Sequence, residues 1–572
     1  MNRSTYSQKL NELISDRTKF TEITDNIHLY STRVEDKINN FIRKMKNLKL
    51  LSDTTYKKLF VSGSGPGILY GLPKIHKSNF NVNFPFRPIF AAYNTASYKI
   101  AKFLVPILAP LTTNDFTIDN SHSFVQSLKT IKGSENLHMS SFDVTNLFTN
   151  IPLDETISIC LDSLFTSDNS TVIGLTKQYF KQFLELSVKN SSLMFDSKLY
   201  KQTDGLGMGL PLGPTFANIF MCFHERRWLR ECPEAFRPIF YKRYVDDTFL
   251  LFKNRNHVPL FLDYLNSQHR NIKFTSQVEE NKIISFLDIK IQRSNDNFIT
   301  SVYRKPTFSG QGLSFFSFCS FLFKINAIKT LIHRAYRLSS SYFKLNDEFE
   351  FLVNYFRNNG YPTPLIYSQI KQFINRLFLE NTNNIENDSR QPFYCSLPFF
   401  GPQTDRLKNE LDLMFTKYFP TIKFKPIFVN NYTLSSFFRF KDSLPIMSRS
   451  SVVYLFLCPH CGDRYVGSTS RTLFVRTSEH EGRSHRTGAL LACPSHSAVR
   501  AHSEHTCHSK VNKNDFSIIA SASNSASSRK IDVELYTMIS GNLSAPNLDF
   551  DVKIILVAFI NLFQSIKTCM YR

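Results

Sequence analysis

Three aspartates carry the clearest chemical signal in the chain. Asp143 follows the start of SFDVTNLFTNIP (141–152), and Asp246–Asp247 sit between the two apolar runs of FYKRYVDDTFLLF (240–252). A short apolar run ending in Asp reads as a buried strand, and a polar pair between two such runs reads as strand–turn–strand. Adjacent carboxylates at a strand turn repel one another without a counter-cation. Mg²⁺, a hard ion, accepts carboxylate and phosphate oxygens together. Asp143 and Asp246 are therefore candidate ligands for two such ions. One would acidify an attacking hydroxyl and the other would hold a triphosphate and its leaving pyrophosphate. Asp-Asp alone is most often a plain turn. What favours the site is GLGMGLPLGPTFANIFM (205–221), a tight Gly- and Pro-rich loop that runs into a helix from about Thr215.

A second group lies near the C-terminal end. Cys458-Pro-His-Cys461 is followed downstream by SAVRAHSEHTCHS, which supplies His502, His505, Cys507 and His508. Two cysteines of one turn plus two later histidines suit a tetrahedral Zn²⁺ site, with His505 and Cys507 as close rivals. The other cysteines are scattered, and ten in a chain of 572 residues do not form a disulfide framework.

The elements that must hold these groups can be read from periodicity. Residues 1–60 read as helical, with Val34, Ile38, Ile42 and Met45 at helical spacing. Gly63, Gly65, Pro66 and Gly67 then break the chain, and short β-rich runs alternate with amphipathic segments to about Thr307, an α+β pattern. A helix is predicted over 324–340, where Ile325, Ile328, Ile332 and Ala335 form a stripe among Lys324, Lys329, Arg334 and Arg337. Residues 380–392 read as a surface loop or linker, a new unit begins near Ser450, and 520–529 is a small-residue loop.

The chain carries 69 Lys and Arg against 47 Asp and Glu, a net charge of +22, which points to a polyanionic partner such as nucleic acid. Met1 to about Lys19 has no apolar h-region, so no secretory signal is expected. The longest apolar stretch, Ile554 to Phe563, is broken by Asn561 and falls short of the roughly 18 residues of a membrane span.

YVDD, DVTNLFTNIP and GMGLPLGPTFANIFM resemble the palm motifs of reverse transcriptases. GLPKIHK (71–77), FRPI (86–89), FLDIKI (286–291) and VYRKPTF (302–308) resemble Penelope-like retroelements in particular, in family order from about residue 30 to 550. The resemblance implies that Asp143, Asp246 and Asp247 bind two Mg²⁺. It implies that Phe148 screens the sugar 2′ position, that Arg87, assisted by Lys74 and Lys77, contacts the incoming triphosphate, and that Gly209, Pro211 and Gly213 line the templating pair. A guanidinium fork suits phosphate oxygens.

Downstream, VVY (452–454), YVG (465–467), LFVRTSEH (473–480) and DVELY (532–536) resemble the GIY-YIG nuclease domain of the same elements. By that likeness Tyr454, Tyr465, Arg476, His480 and Glu534 are catalytic. Glu534 would hold one Mg²⁺, while Cys458, Cys461, His502 and His508 would hold a structural Zn²⁺.

The expected architecture is α+β: a right-hand polymerase followed by a small α/β nuclease domain with an embedded zinc site. The expected division is an N-terminal helical region at 1–60, fingers and palm at 61–310, thumb helices at 311–380, a connection at 381–448, the endonuclease at 449–550, and a tail of no assigned role at 551–572. The expected function is replication of a mobile element in the nucleus. Its partners would be element RNA, target DNA and deoxynucleoside triphosphates, with no membrane. The alternatives are a non-catalytic RNA-binding derivative and an endonuclease whose polymerase region is inactive.

Overall fold

The computed structural model describes residues 2–74, 85–167, 169–294, 297–379, 390–429, 442–492 and 497–521. Its centre is a four-stranded antiparallel sheet. His138–Val144 lies between Phe274–Val278 and Asp247–Phe252, with Phe240–Tyr244 on the outer edge. Side chains alternate across a strand, and here both faces are buried. Leu250 and Phe252 enter one core, while Phe249 and Leu251 enter another. That double burial explains the unbroken apolar run after Asp247.

A five-stranded sheet stands beside it, in the order Phe20–Ile23, Lys198–Gln202, Ser192–Phe195, Gly67–Pro73, Phe86–Ala91. The N-terminal region is thus not wholly helical. Phe20–Ile23 pairs antiparallel with Leu199–Gln202, between helices Arg3–Ile14 and Ile27–Asn47. Cross-strand hydrogen bonds override local propensity there. Val34, Ile38, Ile42 and Met45 do line one face of the second helix, and the last three are fully buried.

Three helices, Phe321–Leu338, Tyr342–Asn358 and Thr363–Leu379, pack around Ile328, Ile332, Ala335, Leu352 and Phe356. The stripe seen in the sequence is this buried face. The connection expected at 381–448 contains a folded unit, because Gln391–Pro398 and Ile422–Val429 pair in parallel across helix Pro402–Tyr418.

The C-terminal unit is a three-stranded antiparallel sheet. Ser450–Leu457 is central, flanked by Arg464–Thr472 and Phe516–Ser521, and helices Leu473–His480 and Ala498–His505 complete it. It rests on the second helix, Ile27–Asn47. Phe474 stacks on His28 with ring centroids 4.7 Å apart, and Arg486 makes a bidentate pair with Asp36 at 2.8 and 2.9 Å. Among the described residues, no helix is long and apolar enough to cross a membrane.

Candidate active sites

The central sheet brings the three aspartates together. Asp143 lies directly opposite Asp247 in the antiparallel register, and the amide of Val144 donates to the Asp246 carbonyl at 3.1 Å. The hairpin turn Val245–Asp246 joins Tyr244 to Asp247. Burial pushes the Asp246 carboxyl above the usual carboxylate range, and the charge of Asp143 adds to this, while Arg87 and Lys74 pull it back. Crowded carboxylates of this kind fit a divalent cation. The same balance puts Arg87 and Lys74, from the neighbouring sheet, in electrostatic reach of the aspartates. Lys77 lies outside the described residues.

Val245 has φ +55°, which is costly for a β-branched residue. Arg243, fully buried, holds that turn. Its Nη1 donates to the Val245 carbonyl at 3.0 Å and to Asn218 Oδ1 at 2.8 Å, while Nε and Nη2 bind the Glu225 carboxylate at 2.5 and 3.1 Å. Tyr241 Oη and Asn114 Nδ2 donate to the same carboxylate. Sequence reasoning missed this pair, since a basic residue beside Tyr244 reads as solvated.

Phe148 sits on a single helical turn, Leu147–Asn150, after the Asp143 strand. Its ring faces Gly213 at the start of helix Gly213–Glu231, where a Cβ would lie 3.7 Å from Phe148 Cδ1. Gly209 adopts φ +118°, and a Cβ there would stand 2.2 Å from the Phe90 carbonyl oxygen. Only glycine permits this approach. It lets Phe90 N–H donate to the Met208 carbonyl at 2.7 Å, which ties the Gly-rich loop to the strand that carries Arg87. Pro211 is half-buried, and the Leu210 side chain is buried in the main core.

In the C-terminal unit Tyr454 is fully buried, and burial pushes its hydroxyl up to about 12. Its Oη accepts from Arg476 Nε at 3.0 Å and lies 2.8 Å from His480 Nε2. His480 is fully buried and lies 2.6 Å from Ser497 Oγ through Nδ1; burial brings its imidazole down to about 4, so it is neutral. Tyr465 stands 5.9 Å from the His480 ring, centroid to centroid. A Cβ at Gly467 would meet Tyr454 Oη at 2.5 Å and Tyr465 Cε1 at 2.9 Å, so glycine is what lets the two tyrosines share the site. Burial pushes the Glu479 carboxyl up, but Arg471 and Arg476 outweigh this and leave it below its ordinary value. Neither Ser497 nor Glu479 was singled out from the sequence. Glu534 lies outside the described residues.

The Cys/His group is Cys458, Cys461, His502 and Cys507, whose ligand atoms lie within 4.8 Å of one another. Cys507 replaces His508 of the sequence reading. Helix Ala498–His505 ends in a tight turn in which the amides of Thr506 and Cys507 both donate to the His502 carbonyl, at 2.9 and 3.0 Å. That folds Cys507 back beside His502, whereas His508, at φ +47°, turns out and is exposed. Amide donation from Cys461 and His460 leads the causes that bring the Cys458 thiol down to about 6, a donor set that fits Zn²⁺. His502 Nδ1 lies 3.7 Å from Asp463 Oδ2.

Glu155, His224 and His269 form another group. The Asn271 amide donates to His269 Nδ1 at 3.1 Å, so the neutral ring carries its proton on Nε2 and gives it to Glu155 at 3.2 Å. That nitrogen has no lone pair left for a metal.

Residues 75–297 match the family described as reverse transcriptase (RNA-dependent DNA polymerase), and residues 311–371 match the animal helix-turn-helix domain. The chain thus contains a reverse transcriptase domain followed by an animal helix-turn-helix domain, the latter on the segment expected as thumb. No curated protein matches. Among solved structures, telomerase from Candida albicans in complex with a fragment of telomeric RNA aligns at 12% identity and TM-score 0.39, covering 73% of this chain and 70% of that one. Apo telomerase from Candida tropicalis aligns at 11% identity and TM-score 0.38, covering 67% and 63%. A Sicinivirus RNA-dependent RNA polymerase aligns at 10% identity and TM-score 0.33, covering 56% and 71%. The chain spans about three fifths of the length of the Candida tropicalis telomerase structures, 60%, 63% and 56%.

Proposed function

We propose that the chain is the RNA-directed DNA polymerase of a Penelope-like retrotransposon, which copies element RNA from a 3′-OH at a nick made by its own GIY-YIG endonuclease unit in the nucleus. The observation that carries the polymerase reading is Asp143 in register with Asp247, beside a strained turn that presents Asp246. These three carboxylates would hold two Mg²⁺, whose chemistry when bound is to acidify the primer hydroxyl and neutralise the triphosphate. Arg87, with Lys74, binds phosphate oxygens of the incoming nucleotide. Phe148, packed against Gly213, fills the space that a ribose 2′-OH would need. The basic helix Phe321–Leu338 contacts the backbone of the template–primer duplex.

In the nuclease reading, Arg476 steadies charge developing on the attacked phosphate while it donates to Tyr454. Tyr454 relays a proton, and the neutral His480 behind it is the hydrogen-bond partner that orients the phenol. Glu534 would hold the Mg²⁺ of this site. Cys458, Cys461, His502 and Cys507 would hold Zn²⁺ in a closed set, tying the loop between the tyrosine strands to the Ser497 helix.

The deciding experiment is primer extension on an RNA template with deoxynucleotides and Mg²⁺, with nicking of duplex DNA followed in the same preparation. Extension lost in Asp246→Asn, with nicking retained, supports both halves. Equal extension by parent and variant refutes the polymerase assignment.

A further inference from the structure

The unit at 390–429 presents a surface that the polymerase and nuclease readings leave unused. Its two strands pair in parallel along all eight residues, from Gln391↔Ile422 to Pro398↔Val429. Because side chains alternate, one face packs Cys395, Leu397, Phe424 and Phe428 onto Phe415 of the helix. The other face carries Tyr394, Ser396 and two prolines opposite Lys423, Lys425, Ile427 and Val429. It is open: Tyr394 is 59% exposed, Ile427 50% and Val429 44%.

The chemistry of this face selects its occupant. Among the described residues, its strand positions carry no acidic side chain, and Lys425 Nζ lies 5.8 Å from the centroid of the Tyr394 ring. Pro392, Pro398 and Pro426 lack the N–H that an added peptide strand would need, so the sheet edges are poor templates for a polypeptide. An exposed aromatic with an ammonium group beside it on a sheet is an arrangement on which unpaired bases stack while a phosphate is neutralised. The unit is also anchored beside the basic helix. Phe318 packs on Phe399 with centroids 5.2 Å apart, and Ser320, the N-cap of that helix, donates to Asp405 at 2.7 Å.

We propose that this face binds single-stranded nucleic acid, with a base stacked on Tyr394, a phosphate on Lys425, and Ile427 and Val429 against the neighbouring base or sugar. It is a binding site separate from the two catalytic centres.

The test uses the full chain and fluorescent 20-nucleotide unstructured oligonucleotides, RNA and DNA in separate arms, read by anisotropy. Tyr394→Ala should raise Kd about tenfold for at least one of them, as expected for loss of one stacked base. Tyr394→Phe should bind as the parent does. Lys425→Gln should lower the slope of log affinity against log salt by about 0.7, the value for one phosphate on a single strand. Primer extension over a single templating base, on a hairpin template–primer with a one-nucleotide 5′ overhang, should stay at the parent rate in all three variants, so an inactive polymerase would not be mistaken for a failed site. Photo-crosslinking of a 5-bromouracil oligonucleotide should mark the peptide 391–398. A Tyr394→Ala/Lys425→Gln variant that binds both oligonucleotides like the parent, or crosslinks that fall only elsewhere, would overturn the proposal.

Discussion

Arg243 Nη1 donates to the carbonyl of Val245 at 3.0 Å, and so a fully buried guanidinium fixes the turn that presents Asp246. The rest of that guanidinium is held by Glu225, which is itself 1% exposed. Metal-binding carboxylates must be placed within fractions of an ångström, and locked supporting side chains do this. A left-handed Val would otherwise relax, so the buried pair both stores and directs the strain at the site.

This makes stability and catalysis separable. Arg243→Leu leaves Glu225 buried without its partner and should cost about 3–5 kcal/mol in denaturant unfolding. Adding Glu225→Gln should restore much of that stability, because a neutral amide needs no charge compensation and its oxygen still accepts from Tyr241 or Asn114. The double variant should still extend primers at least about tenfold more slowly than the parent, since nothing then holds the Val245 carbonyl. Recovery of the parent rate by the double variant would show that the pair is structural only.

Sugar selection supplies the next prediction. Phe148 is half-buried with its ring edge on Gly213, so Phe148→Ala opens space in the cleft without emptying the core. The ratio of ribonucleotide to deoxynucleotide incorporation efficiency should rise by about tenfold or more, since a steric clash is worth a kcal/mol or two. An unchanged ratio would remove Phe148 from the site.

The triad was legible because strands buried on both faces write continuous apolar runs, and an Asp pair interrupting such a run stands out. The clamp behind it was not, since Arg243 and Glu225 lie on different elements, 18 residues apart, and each resembles an ordinary surface charge. Gly467 was seen as part of a motif, but its reason, the closeness of Tyr454 and Tyr465, exists only in three dimensions. The unit at 390–429 was passed over because its strands follow a polar run and contain prolines, which argue against a strand. The membership of the Cys/His group turned on a helix end. Spacing alone left four candidates, and the bonds to the His502 carbonyl chose Cys507.

The metal site can be tested by removing each rival. His508→Ala should keep about one zinc per chain by elemental analysis, whereas Cys507→Ala and Cys461→Ala should lose it and expose 442–521 to proteolysis. Zinc retained in Cys507→Ala but lost in His508→Ala would restore the assignment read from the sequence.

The last prediction concerns acid. His480 sits fully buried between Tyr454 and Ser497, and burial, with Arg476 beside it, brings its imidazole down to about 4 against an ordinary value near 6.5. His28, stacked on Phe474 where helix Ile27–Asn47 meets the C-terminal unit, is brought down to about 4 chiefly by burial, with Lys513 adding to this. In both cases the unfolded chain binds a proton between pH 6.5 and 4 that the fold refuses. Stability therefore falls as pH drops through that window and is complete above it. For His480 the full loss is on the order of 3 kcal/mol, from about 2.5 pH units at 1.36 kcal/mol each. His28 is only partly buried, and its share is smaller because solvent screens the charge. Thermal unfolding of the full chain at pH 7 and pH 5 should show a clear drop in Tm for the C-terminal unit. The drop should shrink in His480→Gln and, by less, in His28→Gln. Comparing each variant with the parent cancels protonation of the thiols of Cys458, Cys461 and Cys507, which all three proteins share. If both variants keep the parent's full dependence on pH, the neutral buried imidazoles are not its source. The acid lability would then belong to the Cys458–Cys507 cluster.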